Sequence, residues 1–275
     1  MSFNVRGSFH DARKKNAWRN RADLNVATIE RYAPDVIGLQ EAQRGNLDAY
    51  HKRLPRYAHI RGPRYGNAKP HDFNTILFDP ERLELLDSGG FWLSETPDEY
   101  SRSWKTRVAR SATWAVFSVP GTDLCFVLLN THLDHVSARA RQEGSKLVVR
   151  RFVVISDHTG VDPPLIVTGD FNSRPGNRVH RTFTESGFVD TYLAAGNEEG
   201  ANTFHAFKGA LYRDAHPHRG PRRIDWILLK DPTGRLGVKS HRIIHDADEG
   251  SGLYPSDHYP IMAGFSISAG QHASA

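Results

Sequence analysis

The sequence predicts an α+β fold, a four-layer sandwich in which two packed, mostly antiparallel sheets are flanked by helices. Three observations predict it. Apolar segments of strand length recur along the chain, helical segments lie between some of them, and no linker or low-complexity stretch separates the halves. With 275 residues, 39% of them hydrophobic, the chain can bury a large core. We therefore expect residues 1–267 to form a single domain and residues 268–275 to be a disordered tail.

The first half of the chain alternates helical and strand-like segments. Residues 19–33 place apolar side chains at near-helical spacing and stop before Pro34, which predicts a helix. Residues 34–41, PDVIGLQE, are typical of a buried strand that ends in polar residues. Residues 73–89 and 111–131 each contain two apolar runs around a turn, and each is predicted to form a hairpin.

The second half continues this alternation. Residues 137–158 predict a second helix, in which Gly144 is a weak point. The apolar run of residues 165–168 predicts a buried strand that opens into the loop GDFNSRPGN, residues 169–177. The remaining strand predictions are RIDWILL, residues 223–229, and the segment that follows YPSDHYP, residues 254–260.

Composition excludes several classes of protein. No apolar run reaches the length of a membrane span, and the first residues lack the basic and apolar regions of a signal peptide, so we expect a cytoplasmic protein. The single cysteine, Cys125, excludes an internal disulfide framework. The formal net charge of +5 favours anionic partners such as phosphates, but it is too small over this length to indicate nucleic acid by itself.

Clusters of polar residues stand where the predicted strands end. Taken singly, each has an ordinary explanation, since Asp170 and Asn172 are good turn formers and Asp225 can pair with Arg222 or Arg223. The clusters are Gln40 with Glu41; Asn130, His132, Asp134 and His135; Asp170 with Asn172; Asp225; and Asp257 with His258.

Taken together, the clusters predict one site. Buried carboxylates are rare and need a partner or a metal ion. Five clusters at strand ends can meet at one rim of a sandwich, and one shared site explains them better than five separate accidents. Carboxylate and amide oxygens without cysteine suit a hard cation, which predicts Mg²⁺ or Mn²⁺ as the cofactor.

The clusters, in this order, resemble those of the endonuclease/exonuclease/phosphatase superfamily, which has the DNase I-like fold. The resemblance extends from residue 2 to about residue 265. Three further segments, FWLSETPDEYSRSW, RSATWAVF and TFHAF, look like those of small stand-alone prokaryotic members. The motifs that carry the superfamily resemblance are SFN, PDVIGLQE, NTHLDH, TGDFN, RIDWIL and SDHYP.

The resemblance implies an enzyme that depends on a divalent metal and hydrolyses a phosphodiester or a phosphomonoester. Water would attack the phosphorus in line with the leaving oxygen. Glu41 would be the principal metal ligand, Asn4 would lie beside it, and Asp257 would complete the metal shell or hold a second ion. Offsetting the charge of the phosphoryl and leaving oxygens is the chemistry that such an ion supplies.

The resemblance also assigns catalytic roles. Asp170 would orient and deprotonate the attacking water, and Asn172 would hold a phosphoryl oxygen. His258 would stabilise the pentacovalent phosphorane, with Asp225 keeping its imidazole oriented and charged. His132 would act on the leaving oxygen.

Four residues are assigned to substrate binding, namely Asn4, Asp72, Arg110 and His205. Asp72 stands where many members have a glutamate that pairs with the histidine at the His132 position, and it is one methylene shorter. Arg110 resembles an arginine that contacts phosphate, although a structural ion pair would explain it equally well. His205 would lie on a loop near the site, and a plain aromatic-flanked loop is the alternative.

Several alternatives remain open at this stage. The substrate is a nucleic acid or a smaller phosphoester, and the aromatic segment 91–104 either stacks on a base or sugar or packs on the core. The protein is expected to be a monomer. A non-catalytic phosphate-binding member of the same fold is the main rival. A metallo-β-lactamase-type zinc hydrolase is less favoured, because Asn130 stands where the first zinc-binding histidine should be.

Overall fold

The computed structural model describes residues 1–11, 13–63, 73–159, 162–216, 218 and 220–268. Two six-stranded sheets pack against each other in this part of the chain, with helices on their outer faces, which confirms the predicted fold class. The prediction of a disordered tail falls on residues that, apart from Ser268, lie outside the described ones. None of the described helices is long and apolar enough to cross a bilayer.

The elements have the following bounds. The first sheet contains β1 (Ser2–Asn4), β2 (Val36–Gln40), β3 (Ala58–Ile60), β4 (Ile76–Phe78), β11 (Leu236–Ile243) and β12 (Ile261–Ile267). The second sheet contains β5 (Glu84–Trp92), β6 (Ser111–Ser118), β7 (Cys125–His132), β8 (Leu165–Asp170), β9 (Val189–Asp190) and β10 (Asp225–Lys230). The helices are α1 (Trp18–Tyr32), α2 (Arg44–Arg53), α3 (Ala138–Thr159), α4 (Arg178–Thr184), α5 (Thr191–Ala194) and α6 (Leu211–Asp214).

Both sheets are built around a central parallel pair. The strand orders are β11-β12-β1-β2-β4-β3 and β5-β6-β7-β8-β10-β9, and only β1–β2 and β7–β8 among these neighbours run parallel. The carboxyl ends of parallel strands meet at one edge of a sheet. The register accordingly places Asn4 beside Gln40 in the first sheet and His132 beside Asp170 in the second. The polar ends of the strands are therefore brought together in pairs.

The central strands β1, β2, β7, β8 and β10 are buried because each sheet has apolar side chains on both faces. Helices α1 and α2 cover the outer face of the first sheet, and α3 and α4 cover that of the second. A third apolar cluster lies between the sheets. Each Å² of apolar surface that it removes from water stabilises the fold by roughly 25 cal/mol. Its members include Ile76, Phe117, Leu128, Ile166, Ile227 and Ile261.

Most predicted elements form, with one error. Both predicted helices agree with α1 and α3 to within about a residue at each end. Gly144 does not interrupt α3, and a Cβ there would make ordinary van der Waals contact with Leu133 at 3.5 Å. The hairpin over residues 111–131 is confirmed as β6 and β7.

The hairpin predicted over residues 73–89 is wrong, because β4 belongs to the first sheet and β5 to the second. Asp79 turns the chain between them. Its buried carboxylate accepts from the main chain of Glu81 at 3.0 Å and pairs with Arg56. A sequence pattern of two apolar runs around a turn indicates that the chain reverses direction there. It does not show that the two runs pair with each other as strands.

Asn130 on β7 joins the two sheets. Its side chain is fully buried, and its Nδ2 donates to the main-chain oxygens of Leu39 at 2.7 Å and Thr75 at 3.1 Å, both in the first sheet or beside it. Its Oδ1 accepts from Gln40 Nε2 at 2.7 Å. Gly38 permits this approach, since a Cβ there would lie 2.7 Å from Asn130 Oδ1.

Asn130→Ala should lower the free energy of unfolding by about 3 kcal/mol, because it leaves buried polar groups of the first sheet unpaired. Urea denaturation followed by tryptophan fluorescence and by far-UV circular dichroism is the measurement. The matched control is Asn20→Ala on the exposed side of α1, which should change stability by less than about 0.5 kcal/mol.

The single domain stays a prediction, and the same experiment tests it. If the chain is one domain, the fluorescence and the circular dichroism should change together in a single urea transition. In the Asn130 variant this whole transition should move to lower urea concentration. Two separate transitions, only one of which moves, would contradict both the single domain and the coupling through Asn130.

Candidate active site

Polar side chains from both sheets meet at the edge where the central parallel strands end. Asn4 ends β1 and Glu41 follows β2, while His132 and Asp170 end β7 and β8. The remaining members of the site are Asp225 at the start of β10, Asn172 two residues after β8, and Asp257 with His258 in the loop before β12. The structure thus brings together eight of the residues that the sequence analysis assigned to the site.

Asp170 lies at the centre of this group. Its carboxylate is 2% exposed, and its Oδ2 accepts from Asn4 Nδ2 at 3.0 Å. The same oxygen is 3.4 Å from His132 Nε2 and 3.7 Å from His258 Nε2. Burial, and then the negative charge of Asp225, raise the pKa of Asp170 to about 7. This carboxylate therefore exchanges a proton near neutral pH.

His258 is held between two carboxylates. Its Nδ1 lies 2.9 Å from Asp225 Oδ2 and 3.1 Å from Oδ1, and its Nε2 faces Asp170. Burial opposes protonation, but the charges of Asp225 and Asp170 outweigh it and raise the pKa of His258 to about 10. At neutral pH the ring is an imidazolium that donates from Nδ1 to Asp225 and carries a second proton on Nε2.

The alternative pairing of Asp225 with Arg222 or Arg223 is wrong. Arg223 turns to the other side of the chain, where its Nη2 lies 2.7 Å from Asp190 Oδ2 and also bonds Glu199. Arg223 precedes β10, and Asp225 at the start of that strand is paired with His258 instead.

Two turns with left-handed backbone conformation place the side chains of Glu41 and Asn172. Their φ angles are +57° and +48°. A glutamate in this region costs roughly 1 kcal/mol, whereas asparagine tolerates it better. Each bend directs a polar side chain off the end of a buried strand, and the surrounding hydrogen bonds maintain it. The main chain of Asn172, for example, donates to Asp170 Oδ1 at 2.9 Å.

Glu41 has the properties of a metal ligand. Its Oε1 accepts from Asn4 Nδ2 at 3.2 Å, while its buried Oε2 has no hydrogen-bond partner among the described residues. Burial raises its pKa, but surrounding positive charge, including that of Arg6, lowers it below the usual range. The carboxylate is thus ionised with one oxygen unpaired. Arg6 lies 4.0 Å from this oxygen and 3.7 Å from Asp257 Oδ2. His10 Nε2 lies 3.7 Å from the same oxygen of Glu41, and the charge of Arg6 lies beside both acidic residues.

A second acidic group fits a metal ion less well. Ligand atoms of Asp170, Asp225 and His258 lie within 4.8 Å of one another. However, one nitrogen of His258 is bonded to Asp225 and the ring is protonated, so it has no lone pair to offer an ion. This triad is therefore better suited to carry charge and protons than to bind an ion, and Glu41 has the carboxylate oxygen without a hydrogen bond.

His132 is held in a different way. Arg110 Nη1 lies 2.9 Å from His132 Nδ1, and Arg110 Nη2 lies 3.1 Å from His135 Nδ1. Burial, and then the charge of Arg110, lower the pKa of His132 well below its usual value. Since an arginine only donates, Nδ1 of the neutral ring accepts. The other ring nitrogen, Nε2, lies 3.0 Å from the side-chain amide nitrogen of Asn172 and 3.4 Å from Asp170 Oδ2. The predicted partner, Asp72, lies outside the described residues.

His205 is buried behind the site. Its side chain is 1% exposed and stacks on Tyr259 with ring centroids 4.0 Å apart. Its Nδ1 accepts from Gly209, and its main-chain nitrogen donates to Asp257 at 2.9 Å. This loop therefore supports Asp257 through the backbone, and contact of the His205 ring with substrate stays a prediction.

Two arginines of the site were missed by the sequence analysis. Arg6 could have been found, because it follows Asn4 by two residues in the same segment. Arg21 could not, because it belongs to a basic stretch that is typical of a solvated surface. It is fully buried in α1 and donates to the main-chain oxygens of Asn16, Val5, Arg6 and Pro255.

Comparison with known proteins places this geometry in a family. Residues 1–258 match the profile of the endonuclease/exonuclease/phosphatase family. The chain belongs to this family. Asn130, at the position considered for a zinc-binding histidine, is fully engaged between the sheets, so the zinc-hydrolase alternative is excluded.

Two solved structures of similar proteins cover almost the whole chain. A mannosyl-6-phosphatase of Bacteroides thetaiotaomicron is 26% identical, with a TM-score of 0.85 over 97% of this chain and 98% of that one. An endonuclease/exonuclease/phosphatase of Bacteroides vulgatus is 30% identical, with a TM-score of 0.83 over 97% of both chains. These likenesses confirm the DNase I-like fold.

Among curated proteins, Nocturnin of Xenopus laevis is 25% identical over 91% of this chain and 65% of its own length. The chain spans less than two thirds of the length of the curated relatives that it matches. Family membership thus concerns the catalytic fold rather than these longer proteins as wholes.

Arg21→Lys should lower the free energy of unfolding by about 3 kcal/mol, because lysine cannot donate to four carbonyls that arginine satisfies together. It should also lower kcat/KM at least about tenfold, since the segments that carry Asn4 and Asp257 lose their common anchor. Urea denaturation and steady-state kinetics are the measurements. Arg31→Lys, an exposed change on the same helix, should alter stability by less than about 0.5 kcal/mol. Equal effects of the two changes would contradict the anchoring role.

Proposed function

We propose that this protein is a divalent-metal-dependent phosphoesterase that hydrolyses a phosphodiester or a phosphomonoester by in-line attack of water. The observation that carries the proposal is the position of Asp170, a buried carboxylate within 4 Å of Asn4, His132 and His258. A base, a charged donor and candidate metal ligands are thereby gathered around one space. Family membership and the phosphatase among the similar structures support the same chemistry.

Glu41, Asn4 and Asp257 would hold the metal ion, for which Mg²⁺ and Mn²⁺ are the proposed identities. The unpaired buried oxygen of Glu41 and the all-oxygen set of donors support a hard cation. When bound, such an ion offsets negative charge on the phosphoryl and leaving oxygens. Arg6 would remain beside the carboxylates and balance part of their charge.

Asp170 would act as the general base. The attacking water gives its proton to the Asp170 carboxylate while its oxygen forms a bond to phosphorus, and the bond from phosphorus to the ester oxygen breaks. A pKa of about 7 suits this task, because a base works best when its pKa is near the working pH. Hydrogen bonds from Asn4 and from the main chain of Asn172 keep the carboxylate oriented.

Three donors would stabilise the phosphorane that forms. His258 would supply fixed positive charge, which Asp225 maintains. Asn172 would hold a phosphoryl oxygen through its side-chain amide. His132 would donate from Nε2 as a neutral ring toward the leaving oxygen, and the contact of Arg110 with Nδ1 holds the ring in place. Whether Asp72 assists His132 stays a prediction.

The substrate class is a nucleic acid or a smaller phosphoester. Phe91 and Trp92 in the aromatic segment 91–104 are buried, so these two rings pack on the core, whereas Tyr100 is 49% exposed and Trp104 is half-buried. Only the latter two are available to a base or a sugar. Cytoplasmic location and a monomeric state stay predictions.

Chelation of metal should abolish activity. EDTA should remove turnover of bis-p-nitrophenyl phosphate, and Mg²⁺ or Mn²⁺ should restore it, since Glu41 offers an oxygen ligand that nothing else satisfies. Glu41→Gln should weaken Mn²⁺ binding at least about tenfold in isothermal titration calorimetry. The control Glu81→Gln, exposed at the opposite end of the strands, should bind as the wild type does. Activity that survives exhaustive chelation, or is restored by zinc alone, would refute the proposed cofactor.

His258 and Asp225 should act as one unit. His258→Ala should lower kcat at least about a hundredfold while leaving KM within a few-fold, because its charge matters most in the phosphorane. Asp225→Asn should lower kcat by a similar factor, and kcat of the double variant should be little lower than that of either single variant. Steady-state kinetics on an accepted phosphoester is the measurement, with His51→Ala on α2 as the neutral control. Additive losses, or losses in KM alone, would show that the pair is not catalytic. A wild type without turnover on any phosphoester would favour a non-catalytic phosphate-binding protein.

A further inference from the structure

A cavity of about 420 Å³ lies next to Asn172. The carboxylates around Asp170 do not line it, and no acidic residue is among the described residues that do. Two arginines and three other polar side chains make it a site for negative charge. Its lining residues are Asn172, Ser173, Arg174, Asn177, Arg222 and Ile224.

The pairing of β8 with β10 builds this cavity. Asp170 is opposite Asp225 in the register, and the main-chain nitrogen of Phe171 continues the pairing by donating to Ile224 at 2.8 Å. Residues 222–224 therefore run alongside residues 171–173. Arg223 turns away to Asp190, and its neighbour Arg222 lines the cavity beside Asn172.

Arg222 is held in place close to the catalytic histidine. Its guanidinium carbon lies 4.5 Å from the centroid of the Phe204 ring, and its Nη1 donates to the Tyr212 hydroxyl at 3.3 Å. The Phe204 ring in turn meets His258 edge-on, with centroids 5.0 Å apart. The positive charge of Arg222 is thus one aromatic ring away from His258, and stacking leaves the edge of the guanidinium able to donate.

Ser173 supplies an unsatisfied polar group in the same cavity. It is 4% exposed, and its buried hydroxyl has no hydrogen-bond partner among the described residues. Buried polar groups are rarely left unpaired, so this hydroxyl indicates a ligand. Asn177 uses its Oδ1 to accept from the main chain of His180 at 3.1 Å, which caps α4. The nitrogen of the same amide is then a further donor for an anion.

We propose that this cavity binds a second phosphate group of the substrate, adjacent to the one that is hydrolysed. Arginine is the residue best suited to bind phosphate through paired N–H groups, and the cavity holds two. The inference rests on the proposed function, because it takes Asn172 as the contact of the reacting phosphoryl group. The second phosphate has two possible sources. It is the neighbouring phosphate of a nucleic acid strand or the other phosphate of a small bisphosphate.

Substrates that differ by one phosphate test the proposal and distinguish the sources. One pair is the thymidine dinucleotide with and without a 5′-phosphate, and the other is glucose 1,6-bisphosphate against glucose 6-phosphate. In the wild type the added phosphate should lower KM at least about tenfold in one pair, which identifies the source. Arg174→Gln and Arg222→Gln should remove this preference. Arg174 is exposed, so its substitution leaves folding intact.

Two controls make the effect specific. Turnover of bis-p-nitrophenyl phosphate, which has no second phosphate, should be unchanged in Arg174→Gln. Arg82→Gln makes the same charge change at the opposite end of the strands, where Arg82 pairs with Asp35, and should retain the preference. A KM that is indifferent to the added phosphate in both pairs, or that rises equally for all substrates in Arg174→Gln, would overturn the proposal.

Binding of inorganic phosphate in EDTA separates this inference from the proposed function. Calorimetry should show that inorganic phosphate binds to the wild type. The affinity should be at least about tenfold lower in Arg174→Gln and in Arg222→Gln, and unchanged in Arg82→Gln. If no phosphoester is hydrolysed but this dependence is found, the phosphate cavity stands and the proposed function fails. If phosphoesters are hydrolysed but neither binding nor KM depends on the two arginines, the cavity is not a phosphate site.

Discussion

The hydrogen bonds of the Asn130 amide determine how the two sheets meet, and the geometry of the site depends on that meeting. Asn4 and Glu41 come from one sheet, while His132 and Asp170 come from the other. Apolar packing between sheets is not directional, so it tolerates sliding. The Asn130 amide donates to two carbonyls and accepts from Gln40, and these directional hydrogen bonds tolerate very little sliding of one sheet over the other. Asn130 itself is two residues from His132, which links the register of the sheets directly to the position of that ring.

The site also depends on keeping similar groups in opposite protonation states. His258 lies between two carboxylates and is charged, whereas His132 lies against Arg110 and is neutral. Glu41 is surrounded by positive charge, while Asp170 has Asp225 as a negative neighbour. Environments that separate the pKa values of like residues are the usual basis of acid and base roles. Burial is common to all four groups. It acts in the same direction as the neighbouring charge for Asp170 and His132, and against the neighbouring charges for His258 and Glu41.

The sequence predicted the parts of the molecule that follow from local pattern. The strand ending at Asp170 was predictable because an apolar run passes straight into a polar loop, and the pairing of Asp225 with His258 followed from the resemblance. The separation of β4 and β5 into different sheets was not predictable, because an apolar run carries no information about its partner strand. Arg21 escaped for a related reason. A basic residue in a basic stretch is ordinarily solvated, and only the tertiary fold brings four carbonyls to its guanidinium.

The antiparallel pairing of β1 with β12 has a consequence for synthesis of the protein. Ser2 is opposite Ile261, and Ser256 donates to the main chain of Asn4 across 252 positions of the sequence. Strand β1 therefore lacks one of its two neighbouring strands until the ribosome has synthesised β12. A nascent chain that has already made Asp170 still lacks His258 and the strand that fixes Asn4. The full set of site residues can thus assemble only after β12 has left the exit tunnel, so the site is completed at the end of synthesis rather than during it.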